Sequence, residues 1–237
     1  VDRFLDRGGP IRASPVPCLP VVRVRAFLPG RCRMAGGPAL TLAALLLGIL
    51  VGGLPTADWL ARSRGIDLRS RGSGNPGTNN ALRTGGPTLA AAVLAAELAK
   101  GAAAVAAGQA LAGVAGAALG GIGATAANVY NPWRRFRGGK GLAITAGTLA
   151  LAWPAGLLVL VAVIGVGVAI FRRSGPAALV ALACYIGLAT LGRSALGGGL
   201  VDHPGWVVAM AVGQCAAMAP KHVADALRPL ARPESRG

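Results

Sequence analysis

The sequence predicts an all-α integral membrane protein with about seven transmembrane helices. Of its 237 residues, 54% are hydrophobic and only 14% are charged, and the mean hydropathy is +0.58. A soluble domain usually has roughly a quarter of its residues charged, because its whole surface faces water. The shortage of charge therefore indicates a surface that faces lipid. Arginine-rich loops that alternate with apolar runs support the same fold class.

Residues 1–33 differ from the rest of the chain, because they contain seven arginines and five prolines but no long apolar run. Met34 directly precedes the first hydrophobic segment. We therefore expect residues 1–33 to be a basic tail or a non-native upstream extension, and they are left out of the fold prediction. Residues 34–237 are expected to form a single membrane domain.

A membrane helix needs roughly 20 mostly apolar residues. The run from residue 87 to residue 129 is too long for one span, so we predict two helices there, with a turn near Gly108. Pro154 is expected to begin a helix, since proline is favoured in the first turn. The other predicted spans are Pro38–Leu60, Gly141–Trp153, Pro154–Phe171, Ala177–Leu191 and Trp206–Ala219.

Charge orients these spans. The loops after the first, third and fifth spans and the C-terminal tail are rich in Arg and Lys, whereas the loops after the second and fourth have none. Cytoplasmic loops carry the Lys/Arg excess. These loops and the C-terminus are therefore predicted to face the cytoplasm. The abundance of Arg, Ala and Gly is typical of a GC-rich bacterial genome, so we expect a multi-pass protein of a bacterial plasma (inner) membrane.

Composition also narrows the partners. The net charge of +16 is compatible with nucleic acid, an anionic membrane surface or an anionic substrate. Aromatic residues for base stacking make up only 4% of the chain, which argues against nucleic acid. The four cysteines lack CxxC or Cys/His spacing, so neither a metal site nor a disulfide framework is predicted.

The first polar loop, Arg71–Arg83, has the composition of an anion site. Its glycines allow backbone N–H groups to approach an anion, and a following helix N-terminus favours negative charge. The alternative interpretation is that the segment is an ordinary loop, in which the glycines and asparagines only form turns. Although the glycines fit G-x-G-x-x-G, no buried strand precedes them, so dinucleotide binding is rejected. The candidate residues are Gly72, Ser73, Gly74, Asn75 and Arg83.

Two further segments carry candidate residues. In Phe136–Leu142, Lys140 follows Gly138 and Gly139, and we expect its charge to be available to a phosphate because no neighbouring side chain pairs with it. The alternative is a loop whose cations, such as Arg134, only set topology. In the tail, the spacing i, i+3, i+6 would place three side chains near one helix face; they are His222, Asp225 and Arg228.

Together these segments resemble the bacterial membrane-integral acyl-phosphate:glycerol-3-phosphate acyltransferase family, the Y-type enzymes. The first family motif resembles GSGNxGATNxxR, and this chain has GSGNPGTNNALR over Gly72–Arg83. The second resembles FxGGKGxA, matched over residues 136–143. The third resembles HxxNIxRLxxGxE, of which His222, Arg228 and Glu234 match, and the family's DxxKG corresponds to residues 97–101.

The resemblance implies transfer of a fatty acyl group from acyl phosphate to the 1-hydroxyl of glycerol 3-phosphate, giving lysophosphatidic acid without a cofactor, by a monomer. It implies cationic side chains on phosphate, hydrogen bonds that position substrate, and a histidine that holds a substrate group or shuttles a proton. The implied catalytic residues are Lys140, His222 and Ser73. The implied substrate-binding residues are Gly72, Gly74, Asn75, Arg83, Gly138, Gly139, Asp225 and Arg228.

Several positions depart from the family pattern. Thr78 and Asn79 replace an Ala-Thr pair, Asn128 falls where a histidine is usual, and Asp225 replaces an asparagine where a phosphate would bind. A non-catalytic relative that binds phospholipid headgroups or scaffolds lipid enzymes therefore remains open. A small anion transporter ranks last, because few polar residues lie within the predicted spans.

Overall fold

The computed structural model describes residues 37–192 and 204–228, which form seven α-helices and no β-strand. The predicted extension over residues 1–33 and the matched Glu234 lie outside these residues. A short 3₁₀ turn, Pro132–Arg134, and a π-helical turn, Leu188–Gly192, complete the secondary structure. The helices are α1 Pro38–Gly53, α2 Thr56–Arg62, α3 Thr78–Val129, α4 Leu142–Ala152, α5 Pro154–Phe171, α6 Ser174–Gly187 and α7 Pro204–Ala226.

Four of the described segments are long and apolar enough to cross a membrane, which confirms an all-α membrane protein. They are Pro38–Arg62, Thr78–Arg134, Pro154–Phe171 and Ser174–Leu191. The number of helices is not the number of spans, because α2 is short and α3 folds back on itself. Seven spans and their orientation stay predictions.

The hairpin predicted between residues 87 and 129 is present within α3. Ala112 and Gly113 have non-helical backbone angles, and the φ of +62° at Gly113 favours glycine. The two arms then run side by side, so that a Cβ on Gly108 would clash with the carbonyl oxygen of Gly116. The chain therefore reverses at Ala112 and Gly113 and not at Gly108. Gly108 instead allows the two arms to pack closely.

The first predicted span, Pro38–Leu60, lies within the candidate span Pro38–Arg62, but the structure divides this segment into two helices. α1 ends at Gly53 and α2 begins at Thr56, with Leu54 and Pro55 between them. Proline disfavours helical geometry at the preceding residue, and Leu54 has a ψ of 123°. Its freed carbonyl accepts a hydrogen bond of 2.9 Å from Lys100 on α3, which satisfies a backbone group that lipid cannot.

Small residues let the helices approach closely. A Cβ on Gly48 of α1 would clash with the backbone of Gly120, and one on Gly147 of α4 would clash with the backbone of Leu98. Close backbone contact through glycine is typical of helix association in membranes. These contacts pack α1 and α4 against the two arms of α3, so the loops at the ends of these helices become neighbours.

Gln214 ties α7 to the other helices. Its amide donates to the Thr148 hydroxyl at 2.9 Å and to the Thr125 hydroxyl at 3.1 Å, and its carbonyl accepts from the Tyr185 hydroxyl at 2.9 Å. All four side chains are buried, so the network is satisfied within the protein. It fixes the position of α7, which continues to Ala226 beyond the predicted end at residue 219.

Candidate active site

The first motif loop leads directly into α3. Gly72 and Gly74 have φ values of +59° and +69°, in the left-handed region that favours glycine. Ser73 between them is exposed, as is Arg83 on α3, whereas Asn75 is half-buried. The loop therefore presents a hydroxyl and a guanidinium to solvent, as an anion site requires.

Asn80, which was not singled out in the sequence, shapes this loop. Its side chain is buried, and its amide donates to the Leu68 carbonyl at 2.7 Å and to the Arg71 carbonyl at 3.1 Å. Its carbonyl accepts from the Ser73 N–H at 2.9 Å. Asparagine can serve donors and acceptors at once, so one side chain fixes the loop. The two consecutive asparagines at positions 79 and 80 were the sequence feature that could have indicated this role.

The glycines of the second motif are packed against the end of α3. The N–H of Gly139 donates to the Asn128 carbonyl at 3.0 Å, and a Cβ on Gly138 would clash with that same carbonyl. The Lys221 ammonium donates to the carbonyls of Gly138 and Gly139 at 2.7 and 3.0 Å. A Cβ on Gly139 would lie 3.5 Å from the carbonyl oxygen of Pro76, so the first two loops meet there.

Lys140 has no partner among its sequence neighbours, as expected, but its charge is not free, because it pairs with a residue that is distant in the chain. Its ammonium forms an ion pair of 2.7 Å with Asp225, and the side chains are 25% and 22% exposed. The Ser174 hydroxyl lies 3.4 Å from the same carboxylate oxygen. Burial raises the pKa of Asp225, but the hydrogen bond and charge of Lys140 outweigh it and hold that pKa below its usual value. The neighbouring glycines exclude a partner next to Lys140 in the sequence, but they do not exclude one from a distant part of the chain.

His222 is fully buried next to Lys140. Its Nε2 lies 3.2 Å from the Lys140 carbonyl, which can only accept, so Nε2 carries a proton. Burial, and then the Lys140 ammonium, lower the pKa of His222 and favour the neutral ring. Its Nδ1 is then an acceptor, and it has no partner within residues 37–192 and 204–228.

Arg228 does not share a helix face with His222 and Asp225, contrary to the prediction. α7 ends at Ala226, and the exposed Arg228 follows it. The Arg173 guanidinium donates to the Arg228 carbonyl at 2.7 Å and to the Asp225 carbonyl at 2.9 Å. These bonds cap the end of α7, and the charge of Arg228 still contributes to the lowered pKa of Asp225.

Asp58 links the segments that directly precede the first and second motif loops. Its buried carboxylate pairs with Arg69 at 3.0 Å and with Arg134 at 3.1 Å, and Arg69 also donates to the Arg137 carbonyl at 2.8 Å. The interpretation of Arg134 as a cation that only sets topology is therefore wrong. Both arginines belong to the structure that holds the loops together.

A polar cavity lies behind these loops. Glu97, Lys100 and Asn128 line it together with the second-motif glycines, and its volume is about 20 Å³. Such a space holds about one water molecule. Glu97 accepts hydrogen bonds from Asn128 at 2.6 Å and from Thr56 at 2.9 Å, so its carboxylate is already satisfied. The cavity is thus a buried polar joint that is too small for a substrate.

The fold and the site define a polytopic membrane protein whose polar loops form a cationic site at one end of the helices. The family model for glycerol-3-phosphate acyltransferase matches residues 42–231. The chain therefore belongs to the glycerol-3-phosphate acyltransferase family.

Two relatives agree with this membership, and a solved structure resembles the fold. A glycerol-3-phosphate acyltransferase of Synechococcus sp. (strain JA-3-3Ab) is 45% identical over 118 residues, which are 49% of this chain and only 58% of that protein. One from Paramagnetospirillum magneticum is 43% identical over 153 residues, or 62% and 74% of the two chains. The glycerol 3-phosphate form of PlsY (YgiH), an integral membrane glycerol 3-phosphate acyltransferase, is 23% identical with a TM-score of 0.66, and the match covers 78% of this chain and 90% of that one. It supports the fold.

Proposed function

We propose that this protein transfers a fatty acyl group from acyl phosphate to the 1-hydroxyl of glycerol 3-phosphate, giving lysophosphatidic acid without a cofactor. The observation that carries the proposal is the convergence of three motif segments on Lys140. Its ammonium reaches Asp225, its carbonyl accepts from His222, and the adjoining Gly139 lies against the first loop at Pro76. The family membership supports the same chemistry, and a related PlsY structure is a lysophosphatidic acid form.

The proposed roles follow from the chemistry of each side chain. Lys140, Arg83 and Arg228 neutralise phosphate charge, and Ser73 and Asn75 position substrate through hydrogen bonds. The glycines Gly72 and Gly74 let the backbone approach the substrate closely, whereas the buried Gly138 and Gly139 let the second loop pack against α3 and so place Lys140. Asp225 lies next to the proposed phosphate position, because it pairs with Lys140 before a phosphate binds.

The reaction needs little beyond orientation and charge stabilisation. The 1-hydroxyl oxygen forms an ester bond with the acyl carbon, and the bond from that carbon to the phosphate oxygen breaks. The neutral His222 is the proposed acceptor of the hydroxyl proton at Nδ1, and because this atom is buried, the substrate must enter the protein to reach it. Lys140 stabilises the departing phosphate, and the aligned geometry lowers the barrier further.

The proposed setting is a bacterial plasma (inner) membrane, with seven spans and the site facing the cytoplasm, in a monomer whose residues 34–237 form one domain. The alternation of arginine-rich and cation-free loops supports this orientation. Cysteine-accessibility labelling tests it at Ser73 and Lys140. Labelling of either position from outside an intact cell would overturn the orientation.

The function is tested with purified protein in detergent or lipid, supplied with palmitoyl phosphate and glycerol 3-phosphate. We expect mass spectrometry to detect lysophosphatidic acid, with none formed when acyl-CoA replaces the acyl phosphate. The closed Lys140–Asp225 pair is the observation that favours a non-catalytic headgroup-binding protein instead. Retained binding of glycerol 3-phosphate with no turnover would support that alternative.

A further inference from the structure

The carboxylate of Asp225 already occupies the position in front of Lys140. Asp225 Oδ2 lies 2.7 Å from the Lys140 ammonium and 3.4 Å from the Ser174 hydroxyl, which are both donors that would also suit a phosphate oxygen. A Cβ on Gly175 would lie only 3.0 Å from this oxygen, so the start of α6 fits closely around the carboxylate. The arrangement is that of an anion site filled by an internal anion.

The pair is held in place and is also accessible. Arg173 donates to the backbone carbonyl of Asp225 at 2.9 Å, which fixes the residue independently of its side chain. About a quarter of the Lys140 side chain and a similar share of Asp225 are exposed to solvent. Partly exposed ion pairs are weak, because water and salt screen them. A dissolved anion can therefore compete for the ammonium without unfolding the site.

Resting on the proposed function, we infer that Asp225 sets the affinity and the charge selectivity for the phosphate substrate. A phosphate monoester carries between one and two negative charges near neutral pH, and it has several acceptor oxygens. It displaces the single charge of Asp225 from Lys140, whereas a monovalent carboxylate does not gain enough to do so. The freed carboxylate remains beside Ser174, and its repulsion weakens the bound phosphate. Asp225 thus acts as a competitor and not as a ligand.

The test is the affinity of the full chain in detergent for glycerol 3-phosphate, measured by isothermal titration calorimetry. Asp225→Asn keeps the shape of the side chain and removes its charge. The variant no longer competes for the Lys140 ammonium, and it no longer repels the bound phosphate. We therefore expect about 3- to 10-fold tighter binding, and measurable binding of glycerate, the carboxylate analogue, to the variant alone.

The control removes the cation. In a Lys140→Ala background, Asp225→Asn should bring no more than a twofold gain, because the contested group is gone. Unchanged or weaker binding by Asp225→Asn would overturn the inference, as would a full gain that persists without Lys140. Should Asp225→Asn melt far below the parent, Asp225→Ala provides the second variant, because it removes the same charge from Lys140 and should give the same gain.

Turnover separates this inference from the proposed function. If Asp225→Asn binds glycerol 3-phosphate more tightly but neither protein forms lysophosphatidic acid, the proposed acyltransferase activity is refuted. The inference that Asp225 competes with the phosphate is then still supported. If both proteins form lysophosphatidic acid and bind glycerol 3-phosphate with equal affinity, the acyltransferase activity is supported and the competition by Asp225 is refuted.

Discussion

Lys100→Met should strongly destabilise the protein, because Lys100 is the only cation within 4.0 Å of the buried Glu97 among the described residues. Its ammonium lies 2.9 Å from the Glu97 carboxylate and 2.9 Å from the Leu54 carbonyl, and the two charged side chains are 6% and 8% exposed. Methionine preserves the apolar stem but removes the charge. Glu97 is left as a buried charge with only neutral donors, and the break between α1 and α2 loses a donor.

The expected magnitude follows from the burial. Removal of one partner of a buried ion pair costs about 3–5 kcal/mol. For a chain of 237 residues, 1 kcal/mol corresponds to roughly 2–4 °C in melting temperature, so the loss should be about 6–20 °C. Thermal unfolding in a mild detergent, followed by tryptophan fluorescence, measures it.

Two variants complete this experiment. Arg64→Met removes an exposed cation just after α2 and should shift the melting temperature by less than about 2 °C. Glu97→Gln combined with Lys100→Met removes both charges and should recover part of the loss, because no unpaired charge stays buried. If Lys100→Met melted within 2 °C of Arg64→Met, the buried pair would not support the fold as argued.

Three further predictions concern the site and the packing. Lys140→Ala should lower kcat/KM roughly 10- to 150-fold, since a hydrogen bond to a charged group is worth about 1.5–3 kcal/mol; the exposed Arg135→Ala in the same loop is the control, and equal losses would reduce Lys140 to one of many basic residues. Gly147→Ala should cost about 1–3 kcal/mol in thermal unfolding, because its Cβ would meet the backbone of α3, whereas Gly165→Ala, with open space around it, should not. The lowered pKa of Asp225 means that its pair contributes stability above about pH 4 and loses it as pH falls through that pKa. The difference in melting temperature between the parent and Asp225→Asn should therefore disappear in acid, and a constant difference from pH 7 to pH 3 would contradict the assignment.

The helices were predictable wherever a local pattern determines them. The apolar run from residue 87 to residue 129 exceeds one membrane crossing, and the structure reverses it at Ala112 and Gly113. Pro154 begins α5 as expected. The break before Thr56 was missed although Pro55 is visible, because its stabilising partner, Lys100, lies more than 40 residues away.

The last helix, α7, is longer than the predicted seventh span. That span stopped at residue 219, before Pro220, and the spacing from His222 to Arg228 was interpreted as that of a helix. In the structure α7 continues through this proline. Beyond it, Lys221 donates to three carbonyls of the neighbouring loop and His222 contacts the Lys140 carbonyl. These tertiary contacts hold the last turns, and no local sequence pattern reports them.

In the candidate site, too, local sequence patterns predicted some residues, whereas residues that act through tertiary contacts were not predicted. Motif spacing identified Lys140 and His222, and the structure brings them together. It did not identify Asn80 or Lys221, which act by hydrogen bonding to backbone carbonyls, because every residue in the chain offers such acceptors. The partner of Lys140 was missed for a related reason, since glycine neighbours exclude only local pairing.

Carboxylates are scarce in this chain, and most of those that the structure describes form ion pairs. The sequence has 8 acidic residues against 24 basic ones, and the structure describes four of the acids. Three of these four form ion pairs: Asp58 joins the segments that precede two motif loops, Glu97 joins Lys100 beside the broken helix, and Asp225 joins α7 to the second loop. Asp58 and Glu97 are buried, so their cations are committed to the fold. Asp225 alone of the three is partly exposed, so Lys140 is the paired cation that an incoming phosphate is best placed to take over.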